Sequence, residues 1–256
     1  MARVTVLMYH MISDPLTDAD RRFCCPVKTF RAHMRHLQRS GMRIVGLDRI
    51  QQHLCGEVIE EDAVAITFDD GYLDNYENAF PVLQEFGFPA TIFLVTGTMG
   101  RTNEWMANRG FSQRRMMDWS AAQDLADAGI TLGGHTVSHA RLPTLDADEA
   151  RREIVDCAKI ISDRTGYRVE QFAYPYGLLS VSVRDIVEDA GYRLACSTRT
   201  GFNNEDTHAF EIRRLEVMGN DDVGALRRKI CFGTNDGSYR NILRYYGRRL
   251  QARLRD

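Results

Sequence analysis

No apolar run in the 256-residue chain approaches the ~20 residues that a bilayer-spanning helix needs, so no such helix is expected. Net charge is also scarce: 33 basic and 35 acidic residues leave −2, which gives no global pull toward nucleic acid. The six cysteines, Cys24, Cys25, Cys55, Cys157, Cys196 and Cys231, include no C-x-x-C pair. A chain of this size needs no staples, so reduced thiols in a cytosol are expected. The amino terminus enters a strand-like run at Val4 with no apolar leader before it, which gives the same cytoplasmic expectation. No internal repeat or flexible linker is visible, and residues 1–256 read as one domain.

What is present is alternation of strand and helix. Val4 to Tyr9, Arg43 to Val45, Val64 to Thr67, Ala90 to Thr96, Ile130 to Gly134, Gln171 to Tyr174, Tyr192 to Ser197 and Phe210 to Val217 read as strands. Between them, Lys28 to Ser40, Leu47 to Leu54, Tyr76 to Phe86, Ala121 to Ala128 capped by Ser120, Asp146 to Thr165, Val181 to Ala190 and Val223 to Ile230 read as helices. In the longest, Ile154, Val155, Ala158 and Ile161 mark the apolar face. Gly97 to Met117 breaks the rhythm and reads as an inserted loop beside the site. This order favours parallel pairing, so an α/β fold is expected, a distorted (β/α) barrel.

Polar groups fall at the ends of three strands: His10, Asp69 with Asp70, and His135 with His139. Carboxyl ends of parallel strands are where such folds build active sites. Two histidines four apart can share a helical face, and with one carboxylate they give three metal ligands and an open position. The neighbouring Asp69 is then placed to take a proton from an attacking water. Each group has a plainer explanation: Asp-Gly is a common turn, and His135 and His139 alone could be two solvated loop residues.

Thr67-Phe68-Asp69-Asp70-Gly71 resembles the first motif of the polysaccharide deacetylases, carbohydrate esterase family four with the NodB-homology fold. His135-Thr136-Val137-Ser138-His139 is similar to their second motif, and Tyr174-Pro175-Tyr176-Gly177 to the end of their third. The resemblance runs from about Val4 to Val217. It implies that Asp70, His135 and His139 hold one divalent metal, zinc first with cobalt or nickel as alternatives, and that Asp69 is the general base. The backbone N–H of Tyr176 would stabilise the oxyanion. The family's late histidine motif is absent here. Members resembling poly-N-acetylglucosamine deacetylases begin close to Leu7-Met8-Tyr9-His10, which implies His10 as general acid. Ala173 stands where an arginine usually orients the base; Arg214 is the candidate to replace it, and it is also counted with Tyr176 among substrate-binding residues.

The activity implied is metal-dependent removal of the acetyl group from an N-acetylhexosamine glycan or precursor, with a carbohydrate as partner. Alternatives are hydrolysis of a small non-sugar amide or imide on the same fold, and a catalytically silent sugar-binding module. Trp119 and Tyr174 read as groove or core, and His33, His36, His53 and His208 as solvated. Arginines from Arg240 to Arg255 interleave with apolar residues in a basic helix near 238–256, which docks on anionic membrane lipid or is simply solvated, the plainer reading.

Overall fold

Six consecutive apolar or β-prone residues form β1 (Val4–Tyr9), and all six are buried, as are the six of β3 (Ala63–Phe68). Strands buried on both faces belong to parallel sheets. The computed structural model describes residues 2–238, so the basic segment read as a helix lies, from residue 239 on, outside the described residues. The other strands are β2 (Arg43–Ile44), β4 (Thr91–Leu94), β5 (Thr131–Gly134), β6 (Gln171–Ala173), β7 (Leu194–Cys196) and β8 (Leu215–Glu216). Every pairing among them is parallel, in the order β7-β6-β5-β4-β3-β1-β8. β2 and β4 share one edge of β3: β2 pairs with Ala63 and Val64, β4 with Thr67 and Phe68.

Among the described residues six helices connect the strands, α1 (Val27–Arg39), α2 (Leu47–Leu54), α3 (Phe80–Phe86), α4 (Trp119–Asp127), α5 (Ala147–Thr165) and α6 (Val181–Asp189), and α7 (Val223–Phe232) follows β8. Strand residues alternate between two cores, as the two-residue period of a strand requires. Leu7, Tyr9, Val64, Ile66, Phe68, Ile92 and Phe172 pack outward with Phe30, Leu125, Ile154 and Val187 of the helices. Val4, Val6, Ala63, Ala65, Phe93, Ala173, Leu194 and Cys196 form a second, inner core. Gly133 makes room inside it, because a Cβ there would lie 2.4 Å from the Phe93 ring.

The sheet curves into a half-barrel, and one irregular segment spans its two edges. Ile212 bridges to Cys196 of β7, and Leu215–Glu216 pair with Leu7 and Met8 of β1. The single strand expected at Phe210 to Val217 is therefore a 3₁₀ turn, one bridge and a two-residue strand. Its two edge contacts are offset along the chain, so neither ladder grows long. Arg214 sits between them.

Three local expectations also change. Asp118, not Ser120, caps α4, accepting from Ala121 N at 2.9 Å; a carboxylate at a helix start also gains from the helix dipole. The helix read from Tyr76 begins as a π turn, Asn75–Ala79, where Asn75 and Asn78 donate to the carbonyls of His10 and Ile12. Val155 faces solvent, and Ala150 and Cys157 join the buried stripe of α5 instead.

His33 and His53 are buried rather than solvated. His53 Nδ1 accepts from Ile59 N, whereas His33 links the Tyr9 hydroxyl (3.2 Å) to the Asp221 carbonyl (3.0 Å). His36 is half-buried, and only His208 is exposed, as expected. Burial lowers the His33 pKa from 6.5 to about 4, so this imidazole is neutral in the folded chain. Between those values the unfolded state binds the extra proton, and stability falls as pH drops through the window, by ~3 kcal/mol in total. Denaturant melts of wild type from pH 7 to pH 4 should show this slope, and His33→Asn should flatten it; parallel profiles would rule His33 out as the cause.

Candidate active site

Strand alternation by itself would send Asp69 and Asp70 to opposite faces. In β3, Ala63 and Ala65 point into the inner core, which continues through Thr67 to Asp69. Asp70 then takes φ 78 and Gly71 φ 81, reversing the chain just past the strand. This turn brings the second carboxylate back over the same end of the barrel. Glycine suits position 71 because φ 81 is a left-handed conformation that side chains disfavour, and a Cβ would also press on Leu94.

The histidines converge without a helix. His135 extends β5, its N–H donating to Leu94 O, and the chain then loops through Thr136 (φ 68) to His139 (φ 60). Glu153 of α5 holds this loop, accepting from Val137 N at 2.8 Å, Ser138 N at 2.9 Å and Ser138 Oγ at 2.7 Å. The shared helical face expected from the i, i+4 spacing is therefore replaced by a strained turn pinned by one carboxylate.

One oxygen of Asp70 lies 3.4 Å from His135 Nε2 and 3.2 Å from His139 Nε2. One ligand atom from each of the three buried residues falls within 4.8 Å of the others. His135 Nδ1 lies 2.7 Å from the Ala173 carbonyl, which can only accept, so Nδ1 carries the proton and Nε2 of the neutral ring presents a lone pair. A carboxylate oxygen and imidazole lone pairs aimed at one point are a donor set for a cation, and these residues fit a divalent metal. Burial alone would raise the Asp70 pKa; when the facing ring nitrogens carry protons instead, their hydrogen bonds prevail and hold the carboxyl well below the usual carboxylate range.

Asp69 is engaged differently. Arg214 Nη1 donates to Oδ1 at 2.6 Å and Nη2 to Oδ2 at 2.8 Å, while its Nε reaches Ser197 O at 2.9 Å. Burial would raise the Asp69 pKa, but the guanidinium outweighs it and keeps the carboxylate ionised. Arg214 is fully buried and does not line the cleft, so its placement among substrate-binding residues is corrected: it touches Asp69, not a bound sugar. Its other expected place, beside Asp69 in lieu of an arginine at Ala173, is the one its two hydrogen bonds occupy, reached from the segment that closes the barrel.

Above these groups opens a cleft of about 500 Å³, with His10, Asp69, Asp70, His135, His139 and Tyr176 in its lining. His10 packs edge-on against Phe23 at 5.0 Å, its Nδ1 buried without a partner. Tyr176 takes φ 60 and sets its ring against His139 at 4.5 Å. The insertion supplies Trp105, stacked on His139 at 4.7 Å, together with Met106, Arg109 and Phe111. Trp105, Arg109, Arg141 and the Arg22–Glu216 pair escaped the sequence reading; irregular loops give no periodic signal, although the insertion itself was expected beside the site. Trp119 and Tyr174 pack against the core, not in the cleft. Cys24 and Cys25 are buried and free, their thiols pushed up to about 11 and about 12, so neither is a reactive thiolate.

Residues 57–195, more than half of the chain, match the family model described as Polysaccharide deacetylase. YxkH of Bacillus subtilis (strain 168), whose name places it among polysaccharide deacetylases, is 28% identical over 84% of this chain and 72% of its own length. The poly-beta-1,6-N-acetyl-D-glucosamine N-deacetylase of Escherichia coli (strain K12) is 37% identical over 88% of this chain, but the chain spans only 38% of that protein. In fold, the chain superimposes on the Streptococcus pyogenes deacetylase PplD with a TM-score of 0.78 at 19% identity, covering 90% of this chain and 98% of the other.

Removing one partner of a buried ion pair strands the other charge and costs ~3–5 kcal/mol. Arg214→Met should therefore lower stability by about that amount. Asp69→Asn, which keeps hydrogen-bond acceptors and volume, should cost less. Equilibrium unfolding checks both, and a loss below ~1 kcal/mol in Arg214→Met would show that the pair is not the anchor the geometry makes it.

Proposed function

Since the chain belongs to the polysaccharide deacetylase family, we propose that it hydrolyses the acetamide of an N-acetylhexosamine in a glycan or sugar precursor, giving an amine and acetate. The observation that supports this most is the meeting of Asp70, His135 and His139 with the separately held Asp69 on one cleft floor. Bound there, a divalent cation supplies positive charge for the carbonyl oxygen and acidifies water. Zinc is the ion we assign first; nitrogen and oxygen donors accept cobalt or nickel as well.

Asp69 is the general base. Its ionisation is secured by Arg214, whose two N–H bonds fix the carboxylate plane and leave a lone pair on each oxygen for the water's proton. His10, at the end of the neighbouring strand β1, protonates the leaving nitrogen. The Tyr176 backbone N–H stabilises the oxyanion as negative charge moves onto it. Trp105 and Phe111 give the cleft an apolar wall against which a sugar face packs. A reducing compartment, the cytoplasm, remains part of this reading; it is supported by six free thiols, four of them buried. Among the described residues no helix is long and apolar enough to cross a membrane.

The roles separate by experiment. Asp70→Ala and His139→Ala should lose both bound metal and acetate release. Asp69→Asn should keep metal, measured by elemental analysis, and lose ~10²–10⁴ in kcat, the range for a general base. His10→Ala should likewise keep metal and lose turnover by a similar factor. Full activity in Asp69→Asn would remove it as base, and a wild-type rate in His10→Ala would remove it as acid.

A further inference from the structure

The cleft contains two positive charges that the hydrolysis of an acetamide does not use. Of the cleft arginines, Arg22 is satisfied within the protein, donating to Glu216 through Nε at 3.2 Å and Nη2 at 2.7 Å. Asp69 is neutralised by Arg214 from behind. Arg109 and Arg141 also line the cleft, and among the described residues neither has a carboxylate within ion-pair distance. Instead both lie over the Tyr176 ring, with the Arg141 guanidinium carbon 4.3 Å from its centre and that of Arg109 5.8 Å away.

Three separate segments build this arrangement. Arg109 comes from the insertion, Arg141 follows the strained His139 by two residues, and Tyr176 caps β6 with a left-handed backbone. The same tyrosine ring abuts His139, so the two cations stand beside the reaction centre. A guanidinium stacked on an aromatic face engages only its flat surface; its five N–H donors remain in plane and free. Arg109 spends at most one, reaching the Tyr176 hydroxyl at a long 3.5 Å. Paired forks of this kind match the oxygens of phosphate or carboxylate.

We propose that Arg109 and Arg141 form an anion subsite, so that the preferred substrate is an N-acetylhexosamine that itself carries a phosphate or a carboxylate; this rests on the deacetylase reading above. The charge argument also works against a polymer deacetylated at successive units. Each turnover there leaves an ammonium group on the glycan, which the two arginines would repel. A monomer or precursor with its own anion suffers no such penalty.

The test compares acetate release from N-acetylglucosamine 1-phosphate, from N-acetylmuramic acid as the carboxylate arm, and from neutral methyl N-acetylglucosaminide. The wild-type protein should prefer at least one anionic probe by about 10–100-fold in kcat/KM, the value of one charge-assisted hydrogen bond. Whichever anionic probe is favoured identifies the group. Arg141→Met should collapse that ratio toward one, Arg141→Lys should retain part of it, and added salt should narrow it. Equal rates on all probes, or a ratio that survives in the Arg109→Met/Arg141→Met double variant, would overturn the anion subsite while leaving deacetylation intact. Absence of acetate from every probe would overturn the deacetylase reading and the subsite with it.

Discussion

The buried contact between Arg214 and Asp69 is the constraint around which the barrel is arranged. A guanidinium with no exposed surface is costly to desolvate unless each donor finds an acceptor. Here the acceptors come from three places at once: Asp69 just beyond β3, Thr67 within it, and Ser197 just past β7. The closing segment must therefore hold Arg214 where its side chain reaches both the end of the interior strand β3 and the chain leaving the edge strand β7. Phe93, whose ring fills the space left by Gly133, packs under the same cation at 5.7 Å. Stability and chemistry meet in one interaction: the group that satisfies the interior charge also keeps the candidate base ionised and fixes its orientation.

A second theme is backbone strain at the mouth of the barrel. Among the described residues five non-glycine residues have positive φ, and four of them, Asp70, Thr136, His139 and Tyr176, stand around the candidate cation site. Such conformations cost ~1–3 kcal/mol each and persist only where the surroundings overdetermine them. The supports are visible. Val95 N donates to Asp70 O, Glu153 holds the turn between the histidines, and Ala140 N donates to Thr136 Oγ1. The reversal at Asp70 puts two sequence neighbours on one side of a sheet, which a regular strand forbids. The reward is a candidate ligand and a candidate base from consecutive residues, each with its own partners.

Much of this was readable in the chain, and what was not has a physical reason. Strands with apolar runs and helices with clear caps appear within a residue or two of their expected limits, because burial and capping act locally. The four acidic and imidazole groups at strand ends were legible because parallel topology collects strand ends. The coiled path from His135 to His139 was misread as helical, since spacing alone does not distinguish a helix turn from a loop braced by a distant Glu153. His33 and His53 looked solvated because a histidine among helix polar positions carries no sequence mark of a backbone partner brought in by the fold. Arg214 lies 145 residues from Asp69; the resemblance pointed to it only by showing that Ala173 left a charge to be supplied from elsewhere.

The insertion between β4 and α4 shows how recognition is attached to this scaffold. Its irregular chain buries Met116 and Met117 at its end and packs Met99 and Trp105 against the core, and polar contacts fasten the rest. Asp20, with no exposed surface, accepts from Leu16 N, Thr17 N, Ser112 N, Ser112 Oγ and Arg114 Nη2. A carboxylate satisfied by that many donors is held well below its usual pKa despite burial, so it remains an anion across the physiological range. The loop from Ser13 to Cys24 and the insertion are thus locked together by one acid, and each contributes to the same wall: Phe23 from the first meets Phe111 from the second at 5.8 Å. The floor of the cleft is set by strand ends, and the wall, where Trp105 and Arg109 stand, rests on side-chain clamps. The candidate metal site and the arginine pair are therefore carried by different parts of the chain, joined at Tyr176, whose ring touches His139 and lies under Arg109 and Arg141.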